Sequence, residues 1–266
     1  MPASALMNVM TQAARKAGRT LARDFGEVEH LQVSVKGPAD FVTAADTRAE
    51  TVLFEELSKA RPDYSFLMEE RGAVEGADKS HRWIIDPLDG TTNFLHGIPL
   101  FAISIALERE GELVAGIIFN PASGETFTAE RGKGAFLDDR RIRVAGRREL
   151  DSAIVATGIP HRGKPDHDLF LEECKRLMTR SAGVRRMGAA SLDLAWVAAG
   201  RFDGFWERNL SAWDIAAGTL MVREAGGYVS GLNGKQDMLA TGGIVAGNEE
   251  IHRALSGVLA ESAKAA

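Results

Sequence analysis

The chain carries one cysteine, Cys174, in 266 residues. An intramolecular disulfide is excluded, and a reducing cytoplasm is the simplest setting. No apolar run approaches the roughly 20 residues that span a bilayer, so no membrane partner is expected. The N-terminus lacks the charged–apolar–small layout of a secretory signal. Positive charge is not in excess: the formal net charge is −5, which removes the global basic field of a nucleic-acid binder. His30, His81, His96, His161, His167 and His252 are scattered, and none stands at zinc-ligand spacing. There is no Gly-x-Ser-x-Gly nucleophile elbow and no Gly-x-x-x-x-Gly-Lys-Ser/Thr phosphate loop. Repeats and low-complexity linkers are also missing.

What remains is an ordinary globular composition, 45% hydrophobic and 26% charged, long enough for one large domain. Residues 4–27 space Leu6, Val9, Met10, Ala13, Ala17, Leu21 and Phe25 as one helix face. Arg15, Lys16, Arg19 and Arg23 form its solvated side. Lys36-Gly37-Pro38-Ala39-Asp40 reads as a loop, and Asp46 opens a second helix that Pro62 ends. Residues 64–68 read as a strand, and residues 71–80 as a polar loop. Strand-like runs at 101–107, 113–119, 124–129 and 134–137 have hairpin spacing, which predicts an antiparallel sheet. The second half alternates strands at 153–157, 184–187, 202–206, 228–230 and 244–246 with helices at 166–179, 191–199, 213–225 and 248–262. That alternation predicts helices packed on a sheet. The change of style near residue 150 suggests one domain, 1–266, of two lobes, about 1–150 and 151–266.

The stretch with the densest chemistry is Asp86-Pro87-Leu88-Asp89-Gly90-Thr91-Thr92-Asn93. It follows the buried-strand pattern Arg82-Trp83-Ile84-Ile85. Pro87 donates no ladder hydrogen bond, so the strand is expected to stop there. Thr91, Thr92 and Asn93 suit a helix start, which can receive phosphate. Glu69-Glu70 falls at another strand end, and Asp214 opens a helix; Asp40 and Asp46 flank an earlier helix start. Singly, each has a bland reading as a turn residue, a cap or a solvated charge. Together they offer an oxygen-rich donor set at sheet ends, which suits Mg²⁺ better than Zn²⁺.

These motifs, with Trp213-Asp214-Ile215-Ala216-Ala217-Gly218 and Glu224-Ala225-Gly226-Gly227, resemble the signatures of the inositol monophosphatase family. Within it the similarity is to the bacterial inositol-1-monophosphatase type that also serves in ribosomal RNA transcription. The resemblance runs nearly end to end. It implies an α/β fold, a layered αβαβα sandwich with an antiparallel sheet in the first half and a mixed sheet in the second. It also implies a homodimer and lithium-sensitive, Mg²⁺-dependent hydrolysis of inositol monophosphate by an activated water. By similarity Glu69, Asp86, the Leu88 carbonyl, Asp89 and Asp214 hold metal, and Glu69, Thr91 and Asp89 serve catalysis. Gly90 and Thr91 hold phosphate oxygens, while Asp89, Gly188, Ala189, Ala190, Glu207 and Asp214 face the inositol hydroxyls, with Glu69 nearby. Lys36, Asp40, Asp46, Glu70 and Thr92 stand around this set. Ala189 occupies a position where many relatives carry Thr or Ser.

The alternatives that the resemblance leaves open are histidinol phosphate, fructose 1,6-bisphosphate and 3′-phosphoadenosine 5′-phosphate as substrates. A role of another class is association with RNA polymerase or its elongation factors, for which Arg140-Arg141, Arg147-Arg148 and Arg185-Arg186 are candidate contacts, each with a solvated-surface alternative.

Overall fold

A computed structural model describes residues 4–27, 33–37 and 40–265, and of 33–37, 40–42 and 265 the backbone only. Its layers follow from which faces of each element are apolar. Helices α1 (Ala5–Phe25) and α2 (Ala44–Ala60) form the first layer. Met10, Ala13, Ala17 and Leu21 of α1 meet Ala49, Leu53 and Leu57 of α2 over one face of an eight-stranded sheet.

That sheet has the order β10-β9-β8-β7-β6-β5-β3-β4. Its central strands are β3 (Tyr64–Met68), β5 (Asp78–Asp89), β6 (Ala102–Arg109), β7 (Glu112–Phe119) and β8 (Thr126–Glu130). On β5 the two-residue period sends Trp83 and Ile85 toward α1 and α2, and Ile84 toward the layer beneath. The edge strands are β4 (Gly72–Val74), β9 (Gly134–Leu137) and β10 (Arg140–Arg141).

The middle layer is α5 (Ala190–Ala198) and α6 (Ala212–Glu224). Both are apolar around most of their circumference, as helices between two sheets must be. They approach closely at Gly218, where a Cβ would stand 2.5 Å from Leu194 Cβ, and α6 approaches β7 closely at Gly116, where a Cβ would stand 3.2 Å from Ala217 Cα. A five-stranded sheet follows, in the order β12-β11-β13-β15-β14. Its strands are β11 (Ile154–Thr157), β12 (Gly183–Arg185), β13 (Gly204–Glu207), β14 (Tyr228–Ser230) and β15 (Ile244–Gly247). Helices α4 (His167–Met178) and α8 (Glu249–Ala265) cover its outer face through Phe170, Leu177, Ile251 and Leu255. The αβαβα layering expected from the sequence is the observed one, and the second sheet is mixed, with β11 parallel to β12 and β13 and the pairs through β15 antiparallel.

The details correct the sequence reading in five places. β3 and β5 pair in parallel inside an otherwise antiparallel first sheet. Residues 71–80 are not all loop: β4 folds back on β3, and β5 begins at Asp78. Lys36 and Gly37 end β1 (Val33–Gly37) and Asp40 begins β2 (Asp40–Thr43), an antiparallel pair, while Pro38 and Ala39 of the expected loop lie outside the described residues. Helix α2 starts at Ala44, not Asp46, because Thr43 caps it and Asp46 closes the capping box from its third position. Finally, β5 does not stop at Pro87. Asp86 pairs with Ser104 and Asp89 with Ala102, so one extra residue sits in a bulge that carries Pro87, where a missing N–H breaks no regular pairing. The short helix α7 (Met238–Thr241) was not foreseen.

Candidate active site

The bulge in β5 re-aims the chain just before α3 (Thr91–Leu95). Asp86 is 1% exposed, and its Oδ1 accepts the Leu88 N–H at 2.9 Å. Gly90 then turns the backbone with φ 89°, and a Cβ there would stand 2.9 Å from Leu100 O and 3.2 Å from Ala189 Cβ. Both the left-handed angle and the close approach call for glycine. The Thr91 hydroxyl reaches Leu88 O at 3.0 Å and Asp46 Oδ1 at 3.1 Å, tying the turn to the start of α2. Asp46 also accepts the Thr43 N–H at 2.8 Å. Glu50, one turn further along α2, accepts the Glu70 N–H at 2.8 Å and so holds the end of β3 beside the same point.

Two other elements converge from the second half. The Ser191 N–H donates to Asp89 Oδ2 at 2.7 Å, and the Ser191 hydroxyl donates to the same oxygen. Asp214, third residue of α6, accepts the Ser211 N–H at 2.7 Å in a capping box. It also shares a hydrogen bond with Asp86. Asn93 sends its side-chain amide to Leu100 O and Met187 O, both at 2.8 Å, fastening α3 to the segment that carries Gly188, Ala189 and Ala190.

A cavity of about 370 Å³ opens here. Glu69, Asp89, Asp214, Glu207, Gly188, Ala189 and Ala190 line it, together with Gly158, Lys164, Arg186 and Asp193. Asp86, Leu88, Gly90, Thr91 and Asp46 stand behind this wall, linked to it by the hydrogen bonds above. Glu70 acts on Asp46 and Glu50 by its charge. Thr92 is exposed and joins none of these bonds through its side chain. The side chains of Lys36 and Asp40 lie outside the described residues.

So many carboxyls in one dry place oppose one another's ionisation. Burial, and then the charges of Glu69, Asp89 and Asp214, pushes the Asp86 carboxyl well above the usual carboxylate range. Burial carries Asp214 up to about 7, with the charge of Asp89 adding to it. Asp89 rises by burial to about 6, held back by the Ser191 and Ala190 hydrogen bonds and by Arg186. Glu207 rises by burial to about 8, helped by Asp214 and Asp89. Among the described residues no three His, Cys, Asp or Glu side chains already surround a single ion-sized point; the Asp86 and Asp214 carboxyls bond each other. The donor set nonetheless fits a hard divalent cation. It is all oxygen, it includes a backbone carbonyl, and its charges need a counter-ion to ionise together.

Sequence reasoning missed Ser191, Glu50 and Asp193, and it named Asn93 only as a helix starter and Arg186 only as a candidate partner contact. Ser191 and Asp193 flank the foreseen Ala190 by one and three positions, in an otherwise apolar helix, and that contrast was the available signal. Glu50 and Asn93 act across long separations and left none. The arginine pairs divide: Arg147 bonds Asp203 at 3.0 Å and Arg148 reaches Glu250 at 3.5 Å, whereas Arg140 and Arg141 are exposed.

A layered α/β fold with a carboxyl-lined cavity at its strand ends suits cation-assisted chemistry on a small substrate, and comparison assigns the class. The model of the inositol monophosphatase family matches residues 3–265, and the chain belongs to that family, whose members are phosphatases and generally metal-dependent. It is similar to an inositol-1-monophosphatase of Mesorhizobium japonicum, 66% identical over 255 residues and 96% of each chain. A protein of Pseudomonas aeruginosa named Nus factor SuhB is 46% identical over 94% of each. The crystal structure of extragenic suppressor protein suhB from Bartonella henselae superimposes with a TM-score of 0.94 at 59% identity, covering 96% of this chain and 98% of that one. Among the described residues no helix is long and apolar enough to cross a membrane.

Proposed function

We propose that this phosphatase hydrolyses inositol monophosphate with Mg²⁺, at the end of β5. The observation that carries the reading is the convergence of Asp89 and Asp214 beside Glu69 in the lining of a cavity that Glu207 also lines, with Asp86 behind them. Glu69, Asp86, Asp89, Asp214 and the Leu88 carbonyl are the residues that would hold Mg²⁺. Bound there, the cation supplies an acidified water and neutralises the charge of the leaving alkoxide.

The chain's own groups do the rest. Glu69 and Thr91 orient the attacking water, and Glu69 takes its proton. The Asp46 and Leu88 acceptors fix the Thr91 hydroxyl. The Gly90 and Thr91 amides receive phosphate oxygens. Ser191 aims Asp89, which bridges the reacting end and the alcohol. Glu207 accepts hydroxyls of the polyol, and Gly188, Ala189 and Ala190 shape its path. Lys36, Asp40, Glu70 and Thr92 surround the set. The chain acts as one domain of two lobes, in the cytoplasm, as a homodimer inhibited by lithium.

The test is phosphate release from inositol 1-phosphate, histidinol phosphate, fructose 1,6-bisphosphate and 3′-phosphoadenosine 5′-phosphate, with and without Mg²⁺ and with millimolar-range lithium. The reading expects the inositol ester to lead. Slow inositol 1-phosphate cleavage beside rapid cleavage of another ester would overturn it.

The Nus factor name borne by the Pseudomonas relative supports a second reading, association with RNA polymerase or elongation factors. Co-purification of the wild type and of Asp89→Asn with the polymerase tests it. Retention by both separates the roles, and retention by neither removes the second.

A further inference from the structure

Glu207 owes its place to a missing side chain. Strands β11 and β13 run parallel, with Thr157 opposite Trp206, so Gly158 and Glu207 emerge side by side at the same end of the sheet. A Cβ on Gly158 would overlap both carboxylate oxygens and the Cδ of Glu207. The backbone does not explain the glycine, since Gly158 is not among the residues with positive φ. Side-chain space is therefore what Gly158 provides.

The carboxylate stands among other charged groups. Asp89, Asp193 and Asp214 line the same cavity. Asp193 is 1% exposed with an Oδ1 that no hydrogen bond satisfies. Glu207 displaced from Gly158 would take up a new position among these repelling carboxyls and the attracting Arg186 and Lys164.

We propose that Gly158 is a positioning residue that seats Glu207 against its bare Cα and thereby sets selectivity for a polyhydroxylated alcohol. The inference rests on the reading that Glu207 faces the alcohol half of the substrate. Gly158 touches no reacting atom; it acts through Glu207.

The experiment compares inositol 1-phosphate with p-nitrophenyl phosphate, an ester whose alcohol offers no polyol, using the full chain with Mg²⁺. Gly158→Ala should lower kcat/KM for the inositol ester about tenfold, mainly through KM, and shift the ratio between the two esters by as much. Adding Glu207→Asp shortens the displaced side chain, and should restore about threefold of that loss. Equal losses on both esters, no loss, or a further loss from Glu207→Asp would overturn the proposal. If Glu207→Gln alone leaves the ratio unchanged, the underlying reading falls and the proposal with it. If Glu207→Gln shifts the ratio and Gly158→Ala does not, only the proposal falls. Should Gly158→Ala fail to fold, recovery of near-ultraviolet circular dichroism in the double variant supports the seat, and an equally misfolded double variant overturns it.

Discussion

The two walls of the cavity are built by different means. At the β5 end, carboxyls are held by hydrogen bonds: Asp86 by the Leu88 N–H, Asp89 by Ser191 and Asp214 by the Ser211 N–H. At the β13 end, Glu207 is seated by shape, against Gly158, with Arg186 supplying attraction and its acidic neighbours repulsion. Backbone donors fix direction, which a reaction at phosphorus requires. A seat made by shape can change with one methyl group, which suits a wall that discriminates among alcohols. Phosphate chemistry and alcohol recognition should therefore be separable by mutation.

The sharpest break comes at the first wall. Asp86→Asn keeps the shape and removes the carboxyl whose ionisation Glu69, Asp89 and Asp214 oppose. Phosphate release should fall by about 10³-fold or more for every ester, while the metal-free folded state, which already holds Asp86 protonated, keeps its melting temperature. Loss confined to one ester would merge the two walls.

Asn93→Ala tests the staple between them. The half-buried carbonyls of Leu100 and Met187 each lose a donor, so stability should drop by about 1 kcal/mol in urea titration. The Gly90–Ala189 approach should loosen too, impairing both walls.

Ser191→Ala is gentler. The backbone N–H to Asp89 survives and only the hydroxyl is lost, so kcat should fall about fivefold, close to 1 kcal/mol. A loss as large as that of Asp86→Asn would mean that Ser191 has a role beyond aiming Asp89.

Stability against pH tests the carboxyl set as a whole. Asp89, Asp214 and Glu207 hold protons up to about 6, 7 and 8 in the folded chain, above the 3.8 and 4.5 of the free groups. The folded state therefore binds more protons than the unfolded one through that window, and stability falls as pH rises from about 4 to 8. In chelator-treated protein, thermal unfolding should follow that slope. Added Mg²⁺ should raise the melting temperature most near the top of the window, where the carboxyls are ionised.

How much of this was readable in advance follows from the same contrast. The β5 turn was legible because its parts are adjacent: Asp86, Asp89, Gly90 and Thr91 lie within six residues, with turn and strand chemistry that names them. Hydrophobic period marked the hairpin-spaced strands and the alternating second half, and the layering itself came from the family resemblance. The bulge at Pro87 was not, since proline reads as a strand end unless the partner strand is seen to skip a residue. The parallel β3–β5 pair escaped for a similar reason: the short β4 between them mimics a loop. Gly158 and Asn93 depend on neighbours 49 and 94 residues away, Glu207 and Met187, and no local pattern announces such contacts.

The most direct test of separable walls is the ratio of kcat/KM for inositol 1-phosphate to that for p-nitrophenyl phosphate, measured in Asp86→Asn and Glu207→Gln side by side. The ratio should stay within about twofold of wild type in Asp86→Asn, although both rates collapse, and should drop about tenfold or more in Glu207→Gln. A ratio that moves equally in both variants, or in neither, would contradict the division of the site into a wall for phosphate and a wall for the alcohol.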